Sequence, residues 1–96
     1  MGTGGVPVIL ERDIEAKAVK WAKANGWLTY KFVSPSQRGV PDRIFIKAGH
    51  VVFIEFKAPG KKPTPLQAQT IRKLKDAGCE VWVCDNVESA IDALSE

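Results

Sequence analysis

Residues 39–57 read GVPDRIFIKAGHVVFIEFK. Two apolar, β-branched and aromatic runs flank Ala48-Gly49-His50, and charge gathers at their open ends. This pattern predicts a β-hairpin with strands over Asp42–Lys47 and Val51–Lys57. If the turn consists of Ala48-Gly49, Lys47 lies opposite His50 and, counting outward, Asp42 lies opposite Glu55. Side chains alternate across a strand, so one face then carries Asp42, Ile44, Ile46, Val51, Phe53, Glu55 and Lys57. That face is apolar along its length and charged only at its open end.

Directly opposed residues have Cβ atoms roughly 4.5–5.5 Å apart, and like charges so placed repel. Two carboxylates in that position call for a cation, and their oxygen donors suit Mg²⁺ or Mn²⁺. Lys57, on the same face, could reach a phosphate oxygen or a water beside the ion. A three-residue turn would instead put Asp42 opposite Phe56. In a further alternative Asp42 caps the Val40-Pro41 turn and Glu55 and Lys57 form a surface ion pair of little energetic weight.

Upstream, residues 11–25 place Ile14, Ala18, Trp21 and Ala22 on one helical stripe, and Asn25-Gly26 supplies a stop. Residues 27–33, WLTYKFV, read as a strand that ends in the Ser34–Gly39 loop. Downstream, Thr64-Pro65-Leu66-Gln67 starts a helix with Thr at N-cap and Pro at N1, running to about Ala77 before Gly78. A fourth strand, EVWVCD, and a short helix over Val87–Leu94, capped by Asp85 or Asn86, complete the order α-β-β-β-α-β-α. An antiparallel meander extended by a crossover strand makes a mixed four-stranded sheet in an α/β domain.

The 96 residues make one domain, read as residues 11–96 behind a flexible leader over residues 1–10. No apolar run approaches the roughly 20 residues of a bilayer span, and the N-terminus lacks a secretory pattern, so a cytoplasmic protein without membrane contact is expected. Cys79, Cys84 and His50 do not make up a four-ligand zinc set, and the cysteines read as free thiols. The net charge of +3 suits an anionic partner. No phosphate-binding Gly-rich loop and no Ser/His/Asp set is present, so nucleotide-hydrolysing and acyl-transfer readings lose support. Trp21, Trp27 and Trp82 fall within apolar patterns and read as packing residues.

Four features together carry a family resemblance: Glu15 in the first helix, G-V-P-D at Gly39–Asp42, E-F-K at Glu55–Lys57, and T-P-L-Q at Thr64–Gln67. They resemble the PD-(D/E)xK nuclease superfamily and, within it, the stand-alone VRR-NUC domains of phages and bacteria. The resemblance spans about Glu11 to Leu94 and implies a restriction-endonuclease-like αβββαβ core. It also implies metal-dependent hydrolysis of DNA phosphodiester bonds by a homodimer like that of Holliday junction resolvases.

By this resemblance Asp42, Glu55 and the backbone carbonyl of Phe56 hold Mg²⁺ or Mn²⁺, and Lys57 is the catalytic lysine. Glu15 adds a ligand directly or through water, with Glu11, one turn earlier, as its competitor. Gln67 matches a glutamine beside the active site, yet it also completes a T-x-x-Q capping box with Thr64. Lys31 resembles a lysine that touches substrate phosphate, although an exposed strand lysine is the plainer reading. Arg38, Lys61 and Lys62 flank the site in loops and are candidate DNA-backbone contacts. No helix-turn-helix pattern is present, so selection for branched DNA structure is expected. The alternatives are a restriction-type nuclease and a non-catalytic DNA- or partner-binding module on the same fold.

Overall fold

A computed structural model describes residues 8–95, so the leader expected over residues 1–10 lies largely outside the described residues. The elements run α1 (Glu11–Ala24), β1 (Leu28–Lys31), β2 (Arg43–Lys47), β3 (His50–Phe56), α2 (Pro65–Asp76), β4 (Glu80–Cys84) and α3 (Val87–Ala93). The sheet order is β1-β2-β3-β4; the first three strands are antiparallel and β4 joins β3 in parallel through the α2 crossover. The predicted order and mixed sheet hold. The first strand is shorter at both ends than the WLTYKFV run.

The hairpin decides the rest. Lys47 pairs with His50, Ile44 with Phe53 and Arg43 with Ile54, the register of the two-residue turn. Ala48 and Gly49 both take left-handed backbone, with φ of 50° and 80°, the geometry that matches a tight turn to the twist of its strands. Ala48 accepts a steric penalty there that Gly49 does not. In this register Asp42, just before β2, lies opposite Glu55 near the end of β3.

The two faces of the sheet differ. Phe45, Val52, Ile54, Phe56 and Cys84 point to one side and pack with Ile14, Ala18 and Ala22 of α1 and Ala90, Ala93 and Leu94 of α3 into the main core. Pro41, Phe45 and Phe56 are among its largest fully buried side chains. Trp27 is buried, and Trp21 and Trp82 are partly buried against the same core. The other face carries α2, which packs on β4 and buries only Thr70 and Ile71. Leu28, Tyr30, Val51 and Val83 therefore remain exposed on this side.

Local chemistry fixes the helix ends. In α1 the Asp13 carboxylate accepts the Leu10 N–H at 3.3 Å, and the Asn25 amide donates to the Trp21 carbonyl at 2.8 Å. Asn86, rather than Asp85, caps α3, accepting the Ser89 N–H at 2.7 Å. Asp85 instead accepts the Gly60 N–H at 2.9 Å, which ties the loop after β3 to the end of β4.

Candidate active site

Asp42, Glu55, Lys57 and Gln67 converge at the open end of the hairpin, where β3 ends and α2 begins. Gly39 and Pro41 direct the chain into this corner. Gly39 has a φ of +86°, and a Cβ there would lie 3.1 Å from both the Leu66 carbonyl oxygen and the Thr70 hydroxyl. Only glycine allows both that backbone and so close an approach to α2. The Pro41 ring is buried behind it.

Asp42 enters next, and its Oδ2 accepts the Phe56 N–H at 2.7 Å. This bond fastens the strand start to β3. Burial raises the Asp42 carboxyl above its ordinary range, and the Phe56 N–H only partly offsets it.

Glu55 is 1% exposed, far below what a surface ion pair would leave. Its Oε2 meets Lys57 Nζ at 3.3 Å, while its Oε1 is buried with no hydrogen-bond partner among the described residues. Burial first, and the Asp42 charge second, push the Glu55 carboxyl up to about 7 despite the Lys57 ammonium. An orphaned, buried carboxylate oxygen beside a second carboxylate offers the oxygen donors that a hard divalent ion prefers. These donors fit Mg²⁺ or Mn²⁺, and Asp42 and Glu55 are the side chains that would hold it. Among the described residues, no three acidic, His or Cys side chains close into a complete ligand cage.

Lys57 Nζ also donates to Gln67 Oε1 at 2.7 Å. The same Gln67 oxygen accepts the Thr64 N–H at 2.9 Å, and Thr64 Oγ1 accepts the Gln67 N–H at 3.2 Å. Capping and lysine tethering, alternatives in the sequence, are thus combined in one oxygen atom.

Glu15 is placed differently. Its Oε2 receives Arg43 Nε at 2.7 Å and Lys31 Nζ at 2.8 Å, and Arg43 reaches on to Thr29 Oγ1 at 3.4 Å. Burial works against the Glu15 charge, but the bonds from Lys31 and Arg43 outweigh it and hold the carboxyl below its ordinary range. Sequence reasoning overlooked Arg43. Alternation supplied the signal: the residue after Asp42 must face the opposite side of the sheet, toward α1.

Glu11, half-buried one turn nearer the N-terminus, is raised by burial and by the neighbouring Asp42 charge, with Lys57 also within electrostatic reach. Lys31, Arg38, Lys61 and Lys62 are all exposed around this end of the molecule. His50 stands at the far end of β3, with Nε2 2.6 Å from Glu80 Oε1.

Fold and site together define a restriction-endonuclease-like αβββαβ domain with acidic residues and a lysine at the hairpin's open end. No protein-family model matches the chain. It is 44% identical over 80 residues to "Putative nuclease p44" of Acyrthosiphon pisum secondary endosymbiont phage 1, covering 82% of this chain and 86% of that protein. Its fold is similar to a solved "VRR_NUC domain" with TM-score 0.81 and 23% identity, over 90% of this chain and 95% of the other. A "VRR_NUC domain protein" superposes with TM-score 0.77 and 20% identity, over 93% of this chain and 88% of the other. The chain belongs to the same family as the phage "Putative nuclease p44" and has the fold of the VRR_NUC domains.

Proposed function

We propose that the protein is a metal-dependent deoxyribonuclease of the PD-(D/E)xK type that cuts DNA phosphodiester bonds endonucleolytically at the Asp42–Glu55–Lys57 cluster. The relative named a nuclease supports the reaction class. The observation that carries the site is Glu55, buried with Oε1 unpartnered, beside Asp42 and Lys57.

Asp42, Glu55 and the Phe56 carbonyl are the proposed holders of Mg²⁺ or Mn²⁺. When bound, the ion supplies an acidified water and neutralises charge on the scissile phosphate. Asp42 is kept in place by the Phe56 N–H, so its ligating oxygens are oriented before substrate arrives. An ammonium has three N–H donors, and Glu55 and Gln67 engage two of those of Lys57. The third is available to orient the attacking water or to bond a phosphate oxygen. Gln67 sets the reach of that lysine from the fixed end of α2.

Lys31, Arg38, Lys61 and Lys62 would contact backbone phosphates, giving salt-sensitive binding without base readout. A preference for branched DNA and a homodimer are part of the same proposal. The open apolar surface of Leu28, Tyr30, Val51 and Val83 supports self-association. Among the described residues no helix is long and apolar enough to cross a membrane. The cytoplasm of a bacterial or phage-infected cell is the location that goes with the proposed action on DNA.

The deciding experiment is cleavage of four-way junction, flap, nicked and linear DNA with Mn²⁺, Mg²⁺ or EDTA, using wild type, Lys57→Ala and Asp42→Asn. Cleavage that needs the ion and both side chains, strongest on branched substrates, is the expected result. Undiminished cutting in EDTA or by the variants would refute the site. Binding without cleavage under any metal would favour the non-catalytic module.

A further inference from the structure

We propose that the outer face of α1 is a second DNA-backbone contact, a basic track of Arg12, Lys17, Lys20 and Lys23 that takes one arm of a branched DNA as it leaves the active site. This rests on the proposed reading of the hairpin's open end as the place where DNA is cut. All four side chains are exposed, while Ile14, Ala18 and Ala22 of the same helix are buried on its inner side. Lys17, Lys20 and Lys23 recur at every third position, and Arg12 lies on the side of Lys23 about three turns earlier. From Arg12 to Lys23 the track is about 16 Å long, at 1.5 Å per residue. That is the length of about five base pairs of duplex.

Charge is the first reason. None of the four forms an ion pair among the described residues, whereas Lys31, Arg43, Lys57 and Arg72 each do. Neighbours of one sign on a helix surface repel, so the fold gains nothing from the spacing of these lysines. Glu11 and Glu15 are partly buried, which leaves Asp13 as the exposed carboxylate of α1, and it accepts the Leu10 N–H at 3.3 Å. Four cations against one carboxylate leave a local excess of three, as large as the net charge of the whole chain, +3. The exposed residues among them are Ala16 and Ala24, so the face lacks the large apolar anchor on which a protein partner's contact is built. An unbroken row of phosphates fits it instead.

Direction is the second reason. Near the start of α1, Glu15 accepts Arg43 Nε at 2.7 Å, and Arg43 follows Asp42 of the site. Beyond its other end the Asn25 carbonyl accepts Lys47 Nζ at 2.7 Å, beside the hairpin turn. The helix therefore runs along the hairpin from the site to the tip, and Arg12 is the cation of the track nearest the open end. Lys61 and Lys62 lie in the loop between β3 and α2, and α2 covers the other face of the sheet. A straight duplex laid across the open end meets these loop lysines and at most Arg12. Following the track requires a sharp turn toward the tip. Duplex DNA, with a persistence length of about 150 base pairs, resists such a turn, whereas the arms of a branch diverge without that cost. The track thus favours branched DNA by geometry, with no contact to a base.

The test compares the full wild-type chain with Lys17→Gln/Lys20→Gln/Lys23→Gln and with Arg72→Gln/Lys73→Gln/Lys75→Gln, which loses the same charge from α2. Each protein is bound to a four-way junction and to a linear duplex of equal length in EDTA over a range of salt. Cleavage of both is then followed with Mn²⁺, and unfolding midpoints are measured in parallel. For the junction, the α1 variant should flatten the slope of log affinity against log salt by about 3, at roughly 0.9 per phosphate contact. Its cleavage loss should fall on KM rather than kcat and be larger for the junction than for the linear duplex. Its unfolding midpoint should stay level or rise, because like charges have been removed. The α2 variant should keep the wild-type ratio of junction to linear cleavage. An unchanged junction slope would mean a face that is only solvated, or one that serves an acidic protein, and would overturn the proposal. Equal losses on both substrates, equal losses in both variants, or a lowered midpoint in the α1 variant would do the same. A wild type that binds the junction but cuts no DNA with any metal would instead remove the nuclease reading, while the slopes in EDTA still decide the track.

Discussion

Raising the pH without divalent ions should destabilise this protein, and Glu55 is the main cause. Its carboxyl is raised from 4.5 to about 7 by burial and by Asp42. The folded state therefore holds the Glu55 proton more tightly than the unfolded chain does. The stability this gives is fully present below about pH 4.5 and is lost as pH rises through about 7. A shift of that size corresponds to about 3 kcal/mol, at 1.36 kcal/mol per pKa unit. For a domain of this size that is a large share of the total, and it lowers the unfolding midpoint on the order of 10–20 °C. Asp42 and Glu11 are raised as well, so their contributions have the same sign over the window between their ordinary and raised values. The assay is urea or thermal unfolding in EDTA between pH 5 and pH 8.5, for wild type and Glu55→Gln. The wild type should lose about 3 kcal/mol across that range, and Glu55→Gln, with no proton to lose, should show a much flatter profile. Millimolar Mg²⁺ at pH 8.5 should restore wild-type stability, because it gives the ionised carboxylate a partner. Equal slopes for the two proteins, or a wild type more stable at pH 8.5 than at pH 5 in EDTA, would refute the reasoning.

Gly39→Ala should cost about 1–3 kcal/mol, since the added Cβ meets the Leu66 carbonyl and Thr70 hydroxyl at 3.1 Å and the backbone there is left-handed. Cleavage should fall with it, as Asp42 follows three residues later; an unchanged unfolding midpoint would contradict this. Gln67→Ala should remove about 1 kcal/mol of stability, through the lost cap, together with most DNA cleavage through the lost Lys57 tether, whereas Thr64→Ala should show the stability loss alone. Equal activity losses in the two variants would mean that Gln67 only caps the helix. Below pH 4.5 Glu15 supplies the opposite trend: its carboxyl is depressed, so its stabilisation is present above the ordinary carboxylate range and lost as the folded protein is acidified. Arg43→Gln should flatten that acid limb in unfolding measurements, and an unaltered limb would show the Glu15 pair to be without weight.

Much of the fold could be read from local signals, because those signals agree with one another. The T-P-L-Q start of α2 and the Asn25-Gly26 stop of α1 each have one structural reading, the alternation marks the two hairpin strands although not their register, and all three elements occur. The shared face of Asp42, Glu55 and Lys57 was legible because alternation is strict once the turn is known. The role of Gln67 was only half legible, since capping and lysine contact both begin at the same helix end. The Glu15–Arg43–Lys31 cluster was not legible. It joins three elements across the sheet, and helix periodicity places Glu11 and Glu15 on one face without revealing which of them meets a cation. The burial of Glu55 was equally hidden, since a glutamate near a strand's end reads as exposed until the covering elements are known.

The turn at Ala48-Gly49 lies a whole strand away from the chemistry, about 23 Å at 3.3 Å per residue. Yet the parity of that turn decides which side of the sheet each residue of β3 addresses. Insertion of one residue there would slide β3 by a single step and exchange its two sides, sending Glu55 toward the hydrocarbon interior and Phe56 toward the proposed ion site. Insertion of two residues would lengthen the loop and keep the parity. In this lineage, length variation at the hairpin tip should therefore come in even steps, and a single codon gained there should inactivate the protein as completely as loss of Lys57.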